Sequence, residues 1–231
     1  MLEVLYEDNH IIAVNKRVSD IVQGDKTGDE PLSEKVKAYI KAKYNKPGDV
    51  YLGVPHRVDR PVSGVVVFAR TSKALTRLNK MFQEKEREIK KIYWAITCEQ
   101  PQEEEGDLIH YLVRDSEKNI TKAYTRPQSH AKEAQLHYKL IGSSDRYYFL
   151  EVQLYTGRHH QIRCQLAKIG CSIRGDLKYG APRSNPDGGI NLHARSISFV
   201  HPVTKEMLTI TAPVPKGDSL WKLLEDSQNS K

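Results

Sequence analysis

Cysteine is scarce in this chain. Cys98, Cys164 and Cys171 form no CxxC pair and no metal-binding spacing. Their odd number and wide scatter exclude a disulfide scaffold and suit a reducing cytoplasm. Long apolar runs are missing as well, so no segment reads as a bilayer span. The first residues, Met1 to Asp8, lack the basic start and apolar stretch of a signal peptide. There is no long linker, internal repeat or low-complexity tract. The reading is therefore a cytoplasmic chain with no membrane association. What is present is 231 residues, 39% hydrophobic and 28% charged, enough to bury a substantial core in one large domain or two small ones. Basic residues outnumber acidic ones, 36 to 29, for a net charge of +7 and a pI near 9.2. Such a surface favours a polyanion, most simply nucleic acid, although a merely soluble basic protein has the same balance.

The most informative stretch is Pro55-His56-Arg57-Val58-Asp59-Arg60-Pro61-Val62-Ser63-Gly64 with the apolar run Val65 to Ala69 behind it. The run reads as a buried strand and the polar cluster as the loop feeding it. A carboxylate on such a loop is suited to act as nucleophile, general base or metal ligand. On its residues alone, the same stretch also fits a surface turn with solvated arginines.

Around it the chain alternates strands and helices. Val4 to Tyr6 and Ile11 to Asn15 suggest an opening hairpin. Pro31 to Asn45 has helical spacing, with Leu32, Val36, Tyr39 and Ile40 on one face. A second helix is predicted from Ser72 to about Glu88. Between Thr71 and Lys91 seven basic residues (Lys73, Arg77, Lys80, Lys85, Arg87, Lys90, Lys91) face three acidic ones (Glu84, Glu86, Glu88). That is a phosphate-facing surface or a solvated helix with its own ion pairs. Lys91 to Ile96 alternates as a strand, with Tyr93 and Ala95 opposite Ile92, Trp94 and Ile96. Residues 107–126 read as an irregular hairpin or insertion. Ala134 to Leu140 and Tyr147 to Tyr155 predict another hairpin. A helix with Ile162, Leu166 and Ile169 on its buried face then runs to Gly170. Two late strands follow, Leu192 to Pro202 and Glu206 to Ala212. A terminal helix, Asp218 to Leu224, should dock through Leu220, Leu223 and Leu224.

The Asp59 stretch resembles the HRLDRxTSGxxxxAK signature of the RluA-type pseudouridine synthases. His56, Arg57, Asp59, Arg60, Ser63, Gly64 and Ala69 match, Arg70 supplies the basic end, and Val58 and Val62 stand for Leu and Thr. Later stretches resemble further family motifs in the same order. Lys91, Tyr93 and Ala95 match K-x-Y-x-A. Residues 157–163 match GRTHQIR with His159 in place of Thr. Residues 175–180 match GDxxYG, and residues 192–202 match L-H-A followed by F-x-H-P. Near the start, Lys16-Arg17 stands where the family has a Lys-Pro pair. The resemblance runs from about Val4 to Ala212. On this resemblance the small N-terminal RNA-binding module of many relatives is expected to be absent.

The resemblance implies one catalytic domain over residues 1–231 of α+β class, a mixed, largely antiparallel sheet with peripheral helices and a basic central cleft. It implies an isomerase that converts specific uridines of structured RNA, tRNA or rRNA, to pseudouridine. By analogy Asp59 is the essential catalytic residue, Tyr93 stacks on the target base, and Arg163 pairs with the catalytic Asp. Arg57 lies by the space the base vacates. Arg57, His56, Arg60 and Leu192 are the substrate-binding set, Leu192 forming apolar pocket wall. No cofactor or metal is expected, since the isomerisation needs neither redox change nor phosphoryl transfer. A monomer with no obligatory protein partner is expected. Two other functional classes fit parts of the sequence. A metal-dependent nuclease or phosphatase would use His56, Asp59, His159 and His160, but arginines around Asp59 would repel a dication. An RNA-binding module without catalysis fits the charge equally well, and only Asp59, Tyr93 and Arg163 together argue against it.

Overall fold

The structure is a computed structural model that describes residues 2–24, 28–83 and 88–229. In chain order the elements are β1 (Val4–Glu7), β2 (Ile11–Lys16), α1 (Leu32–Lys43), β3 (Ser63–Ala69), α2 (Ser72–Gln83), β4 (Ile89–Thr97), β5 (Glu105–Asp115), β6 (Ile120–Tyr124), β7 (Lys132–Ser143), β8 (Tyr148–Leu154), α3 (Gln161–Lys168), β9 (Leu192–Val200), β10 (Met207–Thr211) and α4 (Ser219–Asn229). The class is α+β, and the strand pairings described below are antiparallel. The chain divides into two compact units. One comprises Met1–Lys90 with Ala194–Pro213, and the other Lys91–His193 with Val214–Lys231. No helix among the described residues is long and apolar enough to cross a membrane.

In the first unit β1 and β2 form the expected hairpin. Its turn is set by Asp8, whose Oδ1 accepts the main-chain N–H groups of His10 (2.7 Å) and Ile11 (2.8 Å). β2 pairs with β3 from Ile11↔Ala69 to Lys16↔Gly64. Every residue of β3 is buried, as a run of branched side chains predicts. Gly64, with φ +115°, opens this strand against β9. A Cβ there would sit 2.3 Å from the Ala194 carbonyl oxygen, so only glycine fits. α1 lays Leu32, Val36 and Ile40 inward. Glu7 ties α1 to the sheet by accepting bonds from Tyr39, Lys43, Tyr44 and Arg70. Arg70, the basic end of the signature, thus closes this junction. Buried His201 of F-x-H-P accepts the N–H of Val203 (3.2 Å) and Thr204 (3.0 Å) through Nδ1, and its Nε2 lies 2.9 Å from Asp8. The sequence reading carries α2 to about Glu88. Its helical residues are described to Gln83; residues 84–87, which include Lys85 and Arg87, lie outside the described residues, and Glu88 precedes β4.

In the second unit the strand order is β4-β8-β7-β5-β6. Ile92, Trp94 and Ile96 of β4 pack with Phe149, Trp221 and Leu224 on one face. The terminal helix therefore docks as expected, with one correction. Leu223 is 46% exposed, and Trp221 takes the buried place. Trp221 and Leu224 are three apart and share a helix face, whereas Leu223 is two positions from Trp221 and points away. Residues 107–126 are also more regular than expected. β5 and β6 pair from Tyr111↔Tyr124 to Asp115↔Ile120. α3 packs Cys164 against Leu112 and Ala134 of this sheet.

Candidate active site

Asp59 lies on the loop before β3, between exposed Arg57 and Arg60. The loop is fixed through its main chain. The Val62 N–H donates to the Asp59 carbonyl (3.0 Å), closing a turn, and the Ser19 N–H donates to the Arg60 carbonyl (3.1 Å). The His56 ring stacks on Phe82 of α2 with centroids 4.6 Å apart. His56 Nε2 accepts the Val67 N–H at 3.0 Å, which requires an unprotonated Nε2. His56 thereby anchors the loop to β3. Arg60 pairs with Asp29 at 2.7 Å on the exposed side.

The residue holding this loop most firmly is one to which the sequence reading assigns no role. Lys16, at the end of β2, is completely buried. Its Nζ donates to the carbonyls of Arg17 (3.0 Å), Arg60 (3.0 Å) and Val62 (2.6 Å). All three ammonium donors are thus engaged, two of them by the segment Arg60–Val62 that follows Asp59. Burial pulls the Lys16 pKa down to about 8, against the opposing charges of Asp20 and Asp59. The only advance signal was its place in the Lys-Pro-like pair. We predict that Lys16→Met lowers stability by about 2 kcal/mol, since it leaves the buried Val62 carbonyl without its donor. It should also lower turnover, because the Asp59 loop loses its tether. An unchanged urea midpoint would show that the tripod is dispensable.

The second unit carries the remaining site residues. Tyr93 sits on β4 opposite Val152 of β8, on the face away from the Trp94–Phe149 core, as the alternation predicts. Leu192 is buried at the start of β9. Arg163 is on α3, whose first six residues are all buried. A guanidinium there needs a charged partner. Asp176 provides it, accepting Nε at 2.7 Å and Nη2 at 2.8 Å in a bidentate pair. Arg163 is 4% exposed and Asp176 1%. The GRTHQIR-like and GDxxYG-like stretches are therefore joined by a buried ion pair that the sequence reading does not name.

A second layer supports this pair. The Arg163 guanidinium lies 5.0 Å from the centroid of the Tyr179 ring. The Tyr179 hydroxyl accepts the Thr121 N–H at 2.7 Å and sits 2.9 Å from His160 Nδ1. Thr121 Oγ1 meets His159 Nδ1 at 2.9 Å, and the two histidine rings stack 3.7 Å apart. His159 is accommodated in the place of the family Thr by this stack and this bond. His160 has left-handed backbone (φ 51°) at the start of α3. Thr121 belongs to the segment that the sequence reads only as an irregular hairpin or insertion. Burial, with the Arg163 charge next, pushes the His160 pKa down from 6.5 to about 2. His160 is thus neutral in the fold, and the unfolded chain binds the extra proton between about pH 2 and 6.5. Stability therefore falls as pH falls through that window, by about 1.4 kcal/mol per pH unit for this group. We predict that His160→Gln flattens the loss of urea midpoint between about pH 6 and 4. Parallel pH profiles for variant and wild type would refute this assignment.

The structure thus brings His56, Arg57, Asp59 and Arg60 together on one pinned loop of the first unit. It places Tyr93, Arg163 and Leu192 in the second. Among the described residues no three His, Cys, Asp or Glu side chains converge in a way suited to a metal ion.

The family model described as RNA pseudouridylate synthase matches residues 10–168. An uncharacterized RNA pseudouridine synthase of Synechocystis is 31% identical over 217 residues, covering 93% of this chain and 66% of the relative. The ribosomal large subunit pseudouridine synthase D of Xylella fastidiosa is 31% identical over 241 residues, covering 98% of this chain and 70% of its own length. The tRNA pseudouridine synthase C of Vibrio cholerae is 28% identical over 240 residues, covering 96% and 93%. The chain spans only 66% of the Synechocystis relative and 52% of a Chloroflexus aurantiacus one. The solved structure of human RNA pseudouridylate synthase domain containing 4 shares the fold, with a TM-score of 0.78 over 98% of this chain and 93% of that one at 22% identity. By the extent of the family match, from before the Asp59 loop to the end of α3, this chain belongs to the RNA pseudouridylate synthase family.

Proposed function

We propose that the protein is an RNA pseudouridine synthase that isomerises particular uridines of a structured tRNA or rRNA. The observation that carries this is the Asp59 loop, a carboxylate between two exposed arginines on a main chain tied down by buried Lys16, in a chain of this family. In the reaction the bond from ribose C1′ to uracil N1 breaks, the base turns, and C1′ bonds to C5. The C5 hydrogen leaves and N1 gains one, so no electrons are exchanged with a cofactor. Asp59 acts as nucleophile at C1′ or as base at the 2′ position. Tyr93 stacks on the uracil and Leu192 forms apolar wall beside it. Arg163 holds the Asp59 charge. Extracting the base from its stack costs a few kcal/mol. Arg57 lies by the space it leaves, and Arg60 with the basic surface holds phosphates. His56 keeps the loop in place for them.

In this reading the two units work as one catalytic domain with a basic cleft, as a cytoplasmic monomer needing no protein partner. Relatives named for tRNA and for ribosomal RNA both match along nearly all of this chain, so both RNAs are candidate substrates. The test is tritium release from [5-³H]uracil in unmodified tRNA and large-subunit rRNA transcripts incubated with the purified chain. Release from one defined position is the expected result. Absence of release from both RNAs, and from total RNA of cells lacking the gene, would overturn the proposal.

A further inference from the structure

Among the described residues two lysines have their pKa pulled down to about 8 by burial, Lys16 and Lys91. They differ in one respect. Lys16 donates to three carbonyls. Lys91 has no hydrogen-bond or ion-pair partner among the described residues. Its surroundings explain why. It lies across from Leu154 of β8, and β4 alternation puts it on the face of Tyr93, away from Ile92 and Trp94. After β8 the chain turns through Thr156-Gly157-Arg158, and a Cβ added to Gly157 would lie 3.8 Å from Lys91 Nζ. The ammonium therefore stands beside bare main chain, with an apolar residue across the ladder. Holding a cation half out of water without a bonding partner among the described residues is unfavourable, and a Met or Leu would fill the same space without that cost. An anion arriving from outside the protein removes the penalty.

We infer that Lys91 binds a backbone phosphate of the nucleotide whose base lies on Tyr93, and that Gly157 is left without a side chain so that the phosphate can approach Nζ. This rests on the proposed function, which supplies the RNA. Residues two apart on a strand are separated by roughly 7 Å, short enough for one nucleotide to touch both. The overall charge of +7 favours a polyanion over an isolated small anion. The ammonium acts here as a point charge with three rotatable donors, which tolerates several phosphate geometries.

The test measures affinity for unmodified tRNA and large-subunit rRNA transcripts over a range of KCl concentrations, for wild type, Lys91→Met, Lys91→Arg and Gly157→Val. Lys91→Met should weaken binding to both RNAs and flatten the plot of log affinity against log salt by about one. Lys91→Arg should keep the wild-type slope. Gly157→Val should reproduce the Met slope with the lysine still present, because its branches crowd Nζ. Lys91→Met should also melt at or above the wild-type temperature, since it removes a partly buried charge that has no partner among the described residues. Wild-type salt dependence in Lys91→Met would overturn the inference. Lost turnover at saturating RNA with an unchanged slope would overturn it too, by assigning Lys91 to the chemistry. If the wild-type chain bound neither RNA, the proposed function would fail first, and this inference with it.

Discussion

Asp59→Asn will reduce tritium release from uracil C5 by about four orders of magnitude or more, the scale of losing a nucleophile or its base. The melting temperature and RNA affinity should stay near wild type. Asparagine keeps the size and planarity of aspartate but is neither a nucleophile nor a useful base. The loop should survive the change because it is tied through main-chain groups. Lys16 Nζ holds the carbonyls of Arg60 and Val62, the Val62 N–H holds the Asp59 carbonyl, and His56 holds the Val67 N–H. Asp59→Glu is the sharper control. It restores the carboxylate one methylene too far along a fixed loop, and should recover only a small part of the rate. Substantial release by Asp59→Asn would remove Asp59 from the chemistry.

The second large effect is expected at Asp176. Breaking a buried ion pair from one side leaves the other charge uncompensated, at about 3–5 kcal/mol. Asp176→Asn should therefore shift the urea midpoint strongly downward and reduce turnover, because Arg163 loses the two bonds that orient it. Arg163→Ala should be comparably destabilising. The double variant Arg163→Met/Asp176→Leu should be more stable than either single variant, since no lone charge is left buried. It should still be inactive if Arg163 holds the Asp59 charge. Arg163→Lys should restore part of the stability and less of the rate, since an ammonium lacks the bidentate fork. Additive losses in the double-mutant cycle would mean that the pair is not a coupled unit. Normal turnover in the double variant would confine Arg163 to a structural role.

Local pattern was enough for a good part of this protein. Alternation in β4 separates Ile92, Trp94 and Ile96 from Tyr93, because successive strand side chains point to opposite faces. The apolar run after Gly64 is a buried strand, and the polar residues before it are the loop that carries Asp59. The left-handed Gly170 ends α3 where the reading put it. These features depend on neighbours in sequence, so composition and spacing determine them.

What escaped the sequence depends on partners far along the chain. Lys16 looks like a charged residue ending a strand; its role appears when the fold brings it to Arg60 and Val62, 44 and 46 residues later. Thr121 sat in a stretch without recognisable pattern, yet its N–H meets the Tyr179 hydroxyl across 58 residues. Asp176 belongs to the GDxxYG-like stretch, and its place as the counter-ion of Arg163 appears only once α3 is buried. Leu223 is expected to dock α4, but the sheet covers the face that carries Trp221 and Leu224. A buried charge must find a partner, but which one it finds is decided by where the folded backbone delivers the opposite charge or the carbonyl, and no local propensity encodes that.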